Sequence, residues 1–373
     1  MLERLKINPK LWKQFDYSIF IITVAIVIFG TMNIYSASKY FNASNYYLKT
    51  QLAAFALSLI IVYIILAFDY SIIQSYANLI YWFSIALLVI NDTIFKHFAV
   101  NGAASWIKLG KFSFQPSELA KLGMIIMLAK KINDMEGNIN NKKNFFILLF
   151  YAALPMVLII IQPDAGMTLV CFFIMLGIFV ASKLNYKIII GGFAGIALLL
   201  AIVWNSSLMQ SYWKDRIESF IYPEKYELST SLQQTQSKIS VGSGGLLGDG
   251  YMKGYIQGGM LPETSTDFIF SVVGNEWGLV GGLFLLTLYA ILLARILKIA
   301  KNSKDIFGSV ICVGVFSSLL FSIFQNIGAA IGLLPITGIT LPLMSRGGSS
   351  MVTNFMAIGL VLNIGMRKKK INF

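Results

Sequence analysis

The sequence predicts an all-α fold: a polytopic membrane protein of about ten transmembrane helices, with both termini in the cytoplasm. Three observations predict it. Of 373 residues, 57% are hydrophobic and only 13% are charged, against about 25% charged in an ordinary soluble domain. The apolar residues fall into continuous runs that approach the roughly 20 residues a bilayer-spanning helix needs. The formal net charge of +13 is spread in short clusters between those runs. No long basic face forms, which excludes nucleic acid as the partner and fits charges that orient spans in a membrane.

The runs are, in order, Tyr17–Ser36, Gln51–Phe68, Ile72–Ile90, Glu118–Ala129, Phe145–Ile161, Gly166–Ala181, Ile188–Trp204, Phe268–Leu293, Phe307–Leu334 and Val352–Met366. The first begins near Tyr17 and is long enough to span. It lacks an A-x-A site after it, so it is expected to stay in the membrane rather than be cleaved. The fourth is short and opens on polar residues. All are too long and continuous for barrel strands, so helices are expected. Cys171 and Cys312 lie inside runs and fit small core residues, with no disulfide or metal framework. No internal repeat, soluble domain or disordered tail stands out, so residues 1–373 read as one integral membrane domain with a long external loop at about 205–267.

Orientation follows from the basic residues. Arg4, Lys6, Lys10 and Lys13 precede the first run. Lys130, Lys131, Lys142 and Lys143, then Lys183 and Lys187, then Arg295, Lys298, Lys301 and Lys304 occupy alternate loops, and Arg367 to Lys370 follow the last run. With ten spans all of them fall on one side, which the positive-inside rule makes cytoplasmic. The external side then receives Asn91–Gln115, the Gln162–Asp164 turn, the stretch from about 205 to 267, and Pro335–Ser350.

Those external segments hold the residues capable of chemistry. Gln115-Pro-Ser-Glu-Leu-Ala-Lys121 places Pro116 at a helix start and sets Glu118 and Lys121 three apart, on one face. An ion pair at the membrane boundary marks a polar cavity or substrate path, or simply braces the helix start. Asp164, between Pro163 and Ala165-Gly166, is either a functional carboxylate or an N-cap. The glycine-rich Val241–Gly250 stretch lacks the G-K-[ST] ending of a phosphate loop, although its amides would still approach a pyrophosphate. Asp267 follows Glu263 and Thr266 at the junction of a polar stretch and a long apolar run. A carboxylate there is costly unless it is paired, cation-bound or functional; an N-cap is the alternative. In Ser345-Arg-Gly-Gly-Ser349, Arg346 suits an anionic partner or snorkels to the interface. His97, the sole histidine, cannot build a metal site alone.

Together these stretches resemble the SEDS family (shape, elongation, division and sporulation proteins). The matching pieces are Trp106 with Gly110, Gln115-Pro-Ser-Glu-x-x-Lys121, Gln162-Pro-Asp-x-Gly166, Gly242-Ser-Gly-Gly245, Pro262-Glu-x-x-Thr-Asp-Phe268 and Gly347-Gly-Ser-Ser350. They span nearly the whole chain in the family's order. The resemblance implies a ten-helix enzyme of the bacterial cytoplasmic membrane that polymerises lipid II into peptidoglycan glycan strands on the outer face. It implies Asp267 as general base and Trp106, Gln115, Ser117, Glu118, Lys121, Asp164, Glu263, Thr266, Ser345, Arg346, Gly347, Gly348 and Ser349 as substrate-binding. It also implies a class B penicillin-binding protein, a single-span transpeptidase, as partner. Lys121, Arg346 or a divalent cation such as Mg or Mn would support the leaving pyrophosphate; the metal ligands are unknown from sequence. Thr337, where division members usually carry Lys, points to the elongation branch, whereas Arg346 in place of a usual Tyr and Met167 in place of Thr depart from the pattern. The rival readings are a flippase or transporter for the same lipid, a scaffold for a partner enzyme, and a division or sporulation paralogue with the same chemistry. A carrier wants its polar groups near the bilayer midplane and paired repeats; here the charges gather at the external helix ends.

Overall fold

The computed structural model describes residues 9–39, 43–94, 105–109, 112–204, 214, 218–222, 230–254 and 263–367. In chain order these form α1 (Pro9–Trp12), α2 (Tyr17–Ala37), α3 (Ser44–Ala67), α4 (Tyr70–Ile94), β1 (Ile107–Leu109), β2 (Phe112–Phe114), α5 (Pro116–Asp134), α6 (Lys142–Ile161), α7 (Ala165–Ala181), α8 (Tyr186–Trp204), α9 (Thr230–Ser243), α10 (Ile269–Lys301), α11 (Ile306–Ala330) and α12 (Gly348–Met366). Among the described residues seven helices are long and apolar enough to cross a membrane, so the chain is a predominantly helical, multi-pass membrane protein. Each predicted apolar run lies on one of the long helices.

Burial separates a centre from a rim. The apolar window of α12 is 83% buried and that of α11 67%, against 22% for α3 and α6. The polar-starting α5 is buried along most of its length. It packs between α4, α11 and α6. Ile21, Ile60, Leu79, Phe83, Phe146 and Phe324 are exposed on the rim, a display of apolar surface that suits lipid rather than water.

One end of the bundle is tied by ion pairs. Arg295 of α10 reaches Asp16 at 2.8 Å, and Asp16 also caps α2 through the Ile19 amide. Arg367 lies 3.1 Å from Asp69, between α3 and α4. The Tyr70 hydroxyl donates to Asp305 at 2.6 Å, and Asp305 caps α11 by accepting from the Gly308 amide. The starts of α5, α7, α10 and α12 converge at the opposite end.

Four features differ from the sequence reading. The fourth run is a fuller helix, Pro116–Asp134, because Lys130 and Lys131 continue it rather than ending it. The stretch read as an external loop contains α9, which packs on α10 and α11. Its buried positions Gln234, Ser237 and Ser240 bond to those helices and the turn beyond them: Gln234 donates to the Leu334 carbonyl at 2.7 Å and Ser237 to the Ala330 carbonyl at 2.7 Å. A polar face buried by hydrogen bonding looks like loop composition. The Asn91–Gln115 connector holds an antiparallel β1–β2 hairpin with Lys108 opposite Ser113. His97 and Gly110, Pro262, Arg4 and Lys6, and Lys368 to Lys370 lie outside the described residues.

The fourth difference is a break in α10. Gly278 stands at φ 62°, ψ −160°, a region essentially reserved for glycine. The amides freed by the break find acceptors in the 244–254 segment: Leu279 N–H donates to the Gly245 carbonyl at 2.9 Å and Val280 N–H to the Leu246 carbonyl at 3.2 Å. In return, Asp249 and Gly250 amides donate to the Asn275 and Glu276 carbonyls at 2.9 and 3.1 Å. A side chain at Gly278 would collide with the backbone of Gly248 and Leu246.

Gly278→Ala is therefore expected to lower the thermal midpoint of the detergent-solubilised protein by several degrees, with backbone strain alone costing about 1–3 kcal/mol. Gly191→Ala, where an added Cβ meets nothing within 4 Å, is the control and should leave the midpoint unchanged.

Candidate functional site

Two polar groups lie at the convergent end, joined by the 335–350 segment. In the first, Pro116 opens α5 and Glu118 sits in its first turn. The helical repeat brings Lys121 under Glu118, with Nζ 2.9 Å from Oε2. Both side chains are buried, Glu118 to 3% and Lys121 to 8% exposure. The Thr353 hydroxyl of α12 donates to the same Glu118 oxygen at 2.7 Å. The pair is thus charge-compensated and hydrogen-bonded, as a buried ion pair must be. Lys121, Thr353, Ser318 and Asn354 line a small cleft between α5, α11 and α12.

Gln115 links this group to α7. Its Nε2 donates to Asp164 Oδ2 at 3.1 Å, and its amide donates to Ser349 Oγ at 3.3 Å. Ser349 in turn donates to the Ser113 carbonyl of β2 at 3.0 Å. Asp164 caps α7, accepting from the Met167 amide at 2.9 Å. The capping alternative is realised here, and the second carboxylate oxygen still serves the site. Gly166 of α7 lies against the Thr337 carbonyl and Ile339, where any larger residue would push the 335–350 segment away.

The second group surrounds Asp267. The 263–268 turn starts at Glu263, whose φ of 56° is uncommon for a residue with a side chain. Its carbonyl accepts from the Thr266 amide at 3.1 Å and the Phe268 amide at 3.3 Å, and its carboxylate accepts from Thr266 Oγ1 at 2.8 Å. The carbonyls of residues 265, 266 and 267 are each held from the far side of the bundle. Ser265 accepts from the Arg346 amide at 2.8 Å, Thr266 from Ser345 Oγ at 2.6 Å, and Asp267 from Asn326 Nδ2 at 2.8 Å. Asp267 does not cap α10: the cap position is Phe268, without a side-chain bond. The Asp267 side chain is half-buried and lines a small cavity with Gln325, Asn326, Thr337, Gly338 and Ile339.

Arg346 sits over the Tyr47 ring of α3, its guanidinium carbon 3.8 Å from the ring centroid, a distance favourable for a cation over an aromatic face. Gln51, one turn further along α3, donates to the Ser345 carbonyl at 3.4 Å. Gly347 and Gly348 lead into α12. The structure therefore gathers Gln115, Glu118, Lys121, Asp164 and Ser349 into one group and Glu263, Thr266, Asp267, Ser345 and Arg346 into the other. Ser117 is buried beside the first group. Trp106 is half-buried just ahead of β1, and among the described residues no hydrogen bond or ring contact ties it to either. Thr353, Asn326 and Gln325 belong to the site and escape a sequence reading, because each is a single polar residue or short polar pair inside an apolar helix.

A multi-pass membrane protein with polar groups clustered at one end of its bundle is the class that fold and site define. The chain belongs to the FtsW/RodA/SpoVE family of cell cycle proteins, whose model matches residues 15–370. It is 35% identical over 359 residues to stage V sporulation protein E of Bacillus subtilis (strain 168), covering 94% of this chain and 96% of that protein. It is 33% identical over 358 residues to the peptidoglycan glycosyltransferase MrdB of Escherichia coli (strain K12), covering 96% and 95%. Among solved structures it matches a chain of a peptidoglycan synthase complex studied for the coordination of polymerization and crosslinking, with a TM-score of 0.82, 29% identity and coverage of 94% and 97%.

The Glu118–Lys121 pair yields a direct expectation. Removing one charge leaves the other buried and uncompensated, at a cost of about 3–5 kcal/mol. Lys121→Met should therefore lower the detergent thermal midpoint sharply, and Glu118→Gln combined with Lys121→Met should recover most of the loss. Equal midpoints for the single and double variants would contradict mutual compensation.

Proposed function

We propose that this chain is a peptidoglycan glycosyltransferase of the bacterial cytoplasmic membrane, crossing it with ten helices and both termini inside. Lipid II is polymerised at the outer face, with Asp267 as general base, in the elongation branch of the family. Support for the activity comes from family membership and from the glycosyltransferase MrdB, a relative along nearly the full chain. Support for the base comes from one observation: Asp267 is a half-buried carboxylate on a cavity wall whose backbone is fixed through three successive carbonyls.

In this mechanism Asp267 takes the proton from the acceptor sugar's 4-hydroxyl as that oxygen bonds to the anomeric carbon of the donor. The bond from that carbon to the undecaprenyl pyrophosphate breaks, and the pyrophosphate leaves with the bonding electrons. A positioned base contributes about 10²–10⁴-fold. Lys121 is already neutralised by Glu118 at 2.9 Å, so its help to the leaving group is small. Arg346 is better placed to offset the leaving charge. Among the described residues no carboxylate pairs with it, and the Tyr47 ring holds it without cancelling its charge. Among the described residues no three carboxylates, cysteines or histidines gather as metal ligands, and no step is routed through a metal. Gln115, Asp164 and Ser349 shape the wall against which the headgroup would rest. The partner would be a class B penicillin-binding protein, in line with the peptidoglycan synthase complex that the fold matches.

The decisive experiment is polymerisation of purified lipid II by the purified protein, alone and with its transpeptidase partner. Asp267→Asn is expected to cut product formation by about 10²-fold or more while the thermal midpoint holds. Near-normal product from this variant would remove Asp267 from the mechanism.

A further inference from the structure

Two amides stand side by side near the end of α11, a helix that is otherwise largely apolar. Gln325 is 5% and Asn326 2% exposed. The Asn326 Nδ2 group donates twice, to the Asp267 carbonyl at 2.8 Å and to the Ile339 carbonyl at 2.8 Å. Gln325 Nε2 donates to the Pro335 carbonyl at 2.8 Å. Both donors of Asn326 face acceptors, so its amide orientation is determined: turned over, Oδ1 would oppose two carbonyl oxygens.

We propose that Asn326 is a positioning residue for glycosyl transfer, setting where the Asp267 carboxylate stands against the Thr337–Ile339 wall of its cavity. The inference rests on the assignment of Asp267 as base. One NH₂ group bridges the backbone of the base and the backbone of the wall it faces. Gly338 lies between the two attachment points: a Cβ built there would stand 3.8 Å from Asp267 Oδ2. Ser345 and Arg346 fix the carbonyls of residues 266 and 265, while Asn326 fixes that of residue 267 itself and with it the direction of the side chain.

The amide satisfies two carbonyls and carries a cost of its own. Its Oδ1 is buried and has no hydrogen-bond partner among the described residues. An unmatched buried acceptor costs about 1–3 kcal/mol, less than orphaning both carbonyls would. The amide's two donors fix a geometry, and a displacement of about 1 Å in a reacting group is worth about 10²-fold in rate.

The test compares Asn326→Leu, which removes both donors, with Asn326→Ser, which keeps one. The expected result is a ten- to hundredfold loss of kcat for lipid II polymerisation in Asn326→Leu, a smaller loss in Asn326→Ser, and a KM for lipid II within about twofold of the parent. A second readout is independent of activity. Asp267→Cys supplies a reporter thiol, since the native Cys171 and Cys312 are buried. Its rate of modification by a small methanethiosulfonate should change at least severalfold when Asn326→Leu is added. Parental kcat in both Asn326 variants would overturn the proposal, as would a loss of kcat with no change in the thiol's rate. If Asn326→Leu fails to fold, Asn326→Ser decides by the same criteria. If Asp267→Asn itself stays active, the base assignment is what fails, and the thiol rates still decide whether Asn326 places residue 267.

Discussion

Three consecutive carbonyls carry the architecture of the end where α5, α7, α10 and α12 begin. Ser265, Thr266 and Asp267 precede the helical part of α10, so their oxygens lack the bonds that a helix provides, and they lie where the chain enters an apolar bundle. An unsatisfied backbone group in such surroundings costs several kcal/mol. Each oxygen therefore draws a donor from the 326–346 region: a backbone amide, a serine hydroxyl and an asparagine amide. The demand for satisfied backbone is what pulls the last third of the chain across the start of α10. The juxtaposition of Asp267 with Arg346 and the 335–350 segment follows from that demand.

The two charged groups answer the cost of charge near lipid in different ways. Glu118 and Lys121 cancel one another within one helix turn, and Thr353 adds a hydrogen bond to the carboxylate. They form a rigid polar joint between α5 and α12. Arg346 instead spreads its charge over an aromatic face, which stabilises the cation without neutralising it. The compensated pair acts as a brace, whereas among the described residues no carboxylate pairs with Arg346.

Much of the fold is legible in the sequence because lipid imposes a strong, one-dimensional signal. Each apolar run from Tyr17 to Met366 marks a long helix, and the spacing of Glu118 and Lys121 foretells their contact through the helical repeat. What escapes has a common cause. The face of α9 formed by Gln234, Ser237 and Ser240 is buried through side-chain bonds to distant carbonyls, and local composition carries no trace of such partners. Asp164 reads as a choice between cap and functional carboxylate; one oxygen caps α7 and the other accepts from Gln115, a partner that spacing does not reveal. Asn326 sits in an apolar stretch with only Gln325 as a polar neighbour. Its meaning depends on Asp267 and Ile339, residues 59 and 13 positions away.

The break at Gly278 has a consequence for how such a chain can vary over evolutionary time. Surface connectors ordinarily tolerate insertions and deletions, because nothing counts their residues. The 244–254 segment is counted at four points, where the Gly245 and Leu246 carbonyls and the Asp249 and Gly250 amides meet fixed partners on both sides of the interrupted helix. A single added or lost residue there would shift the ladder out of phase and strand two amides at membrane depth. This stretch should hold its length and keep Gly244, Gly248 and Gly254, where an added Cβ would collide with the 274–277 segment, the reverse of what its loop-like spelling suggests.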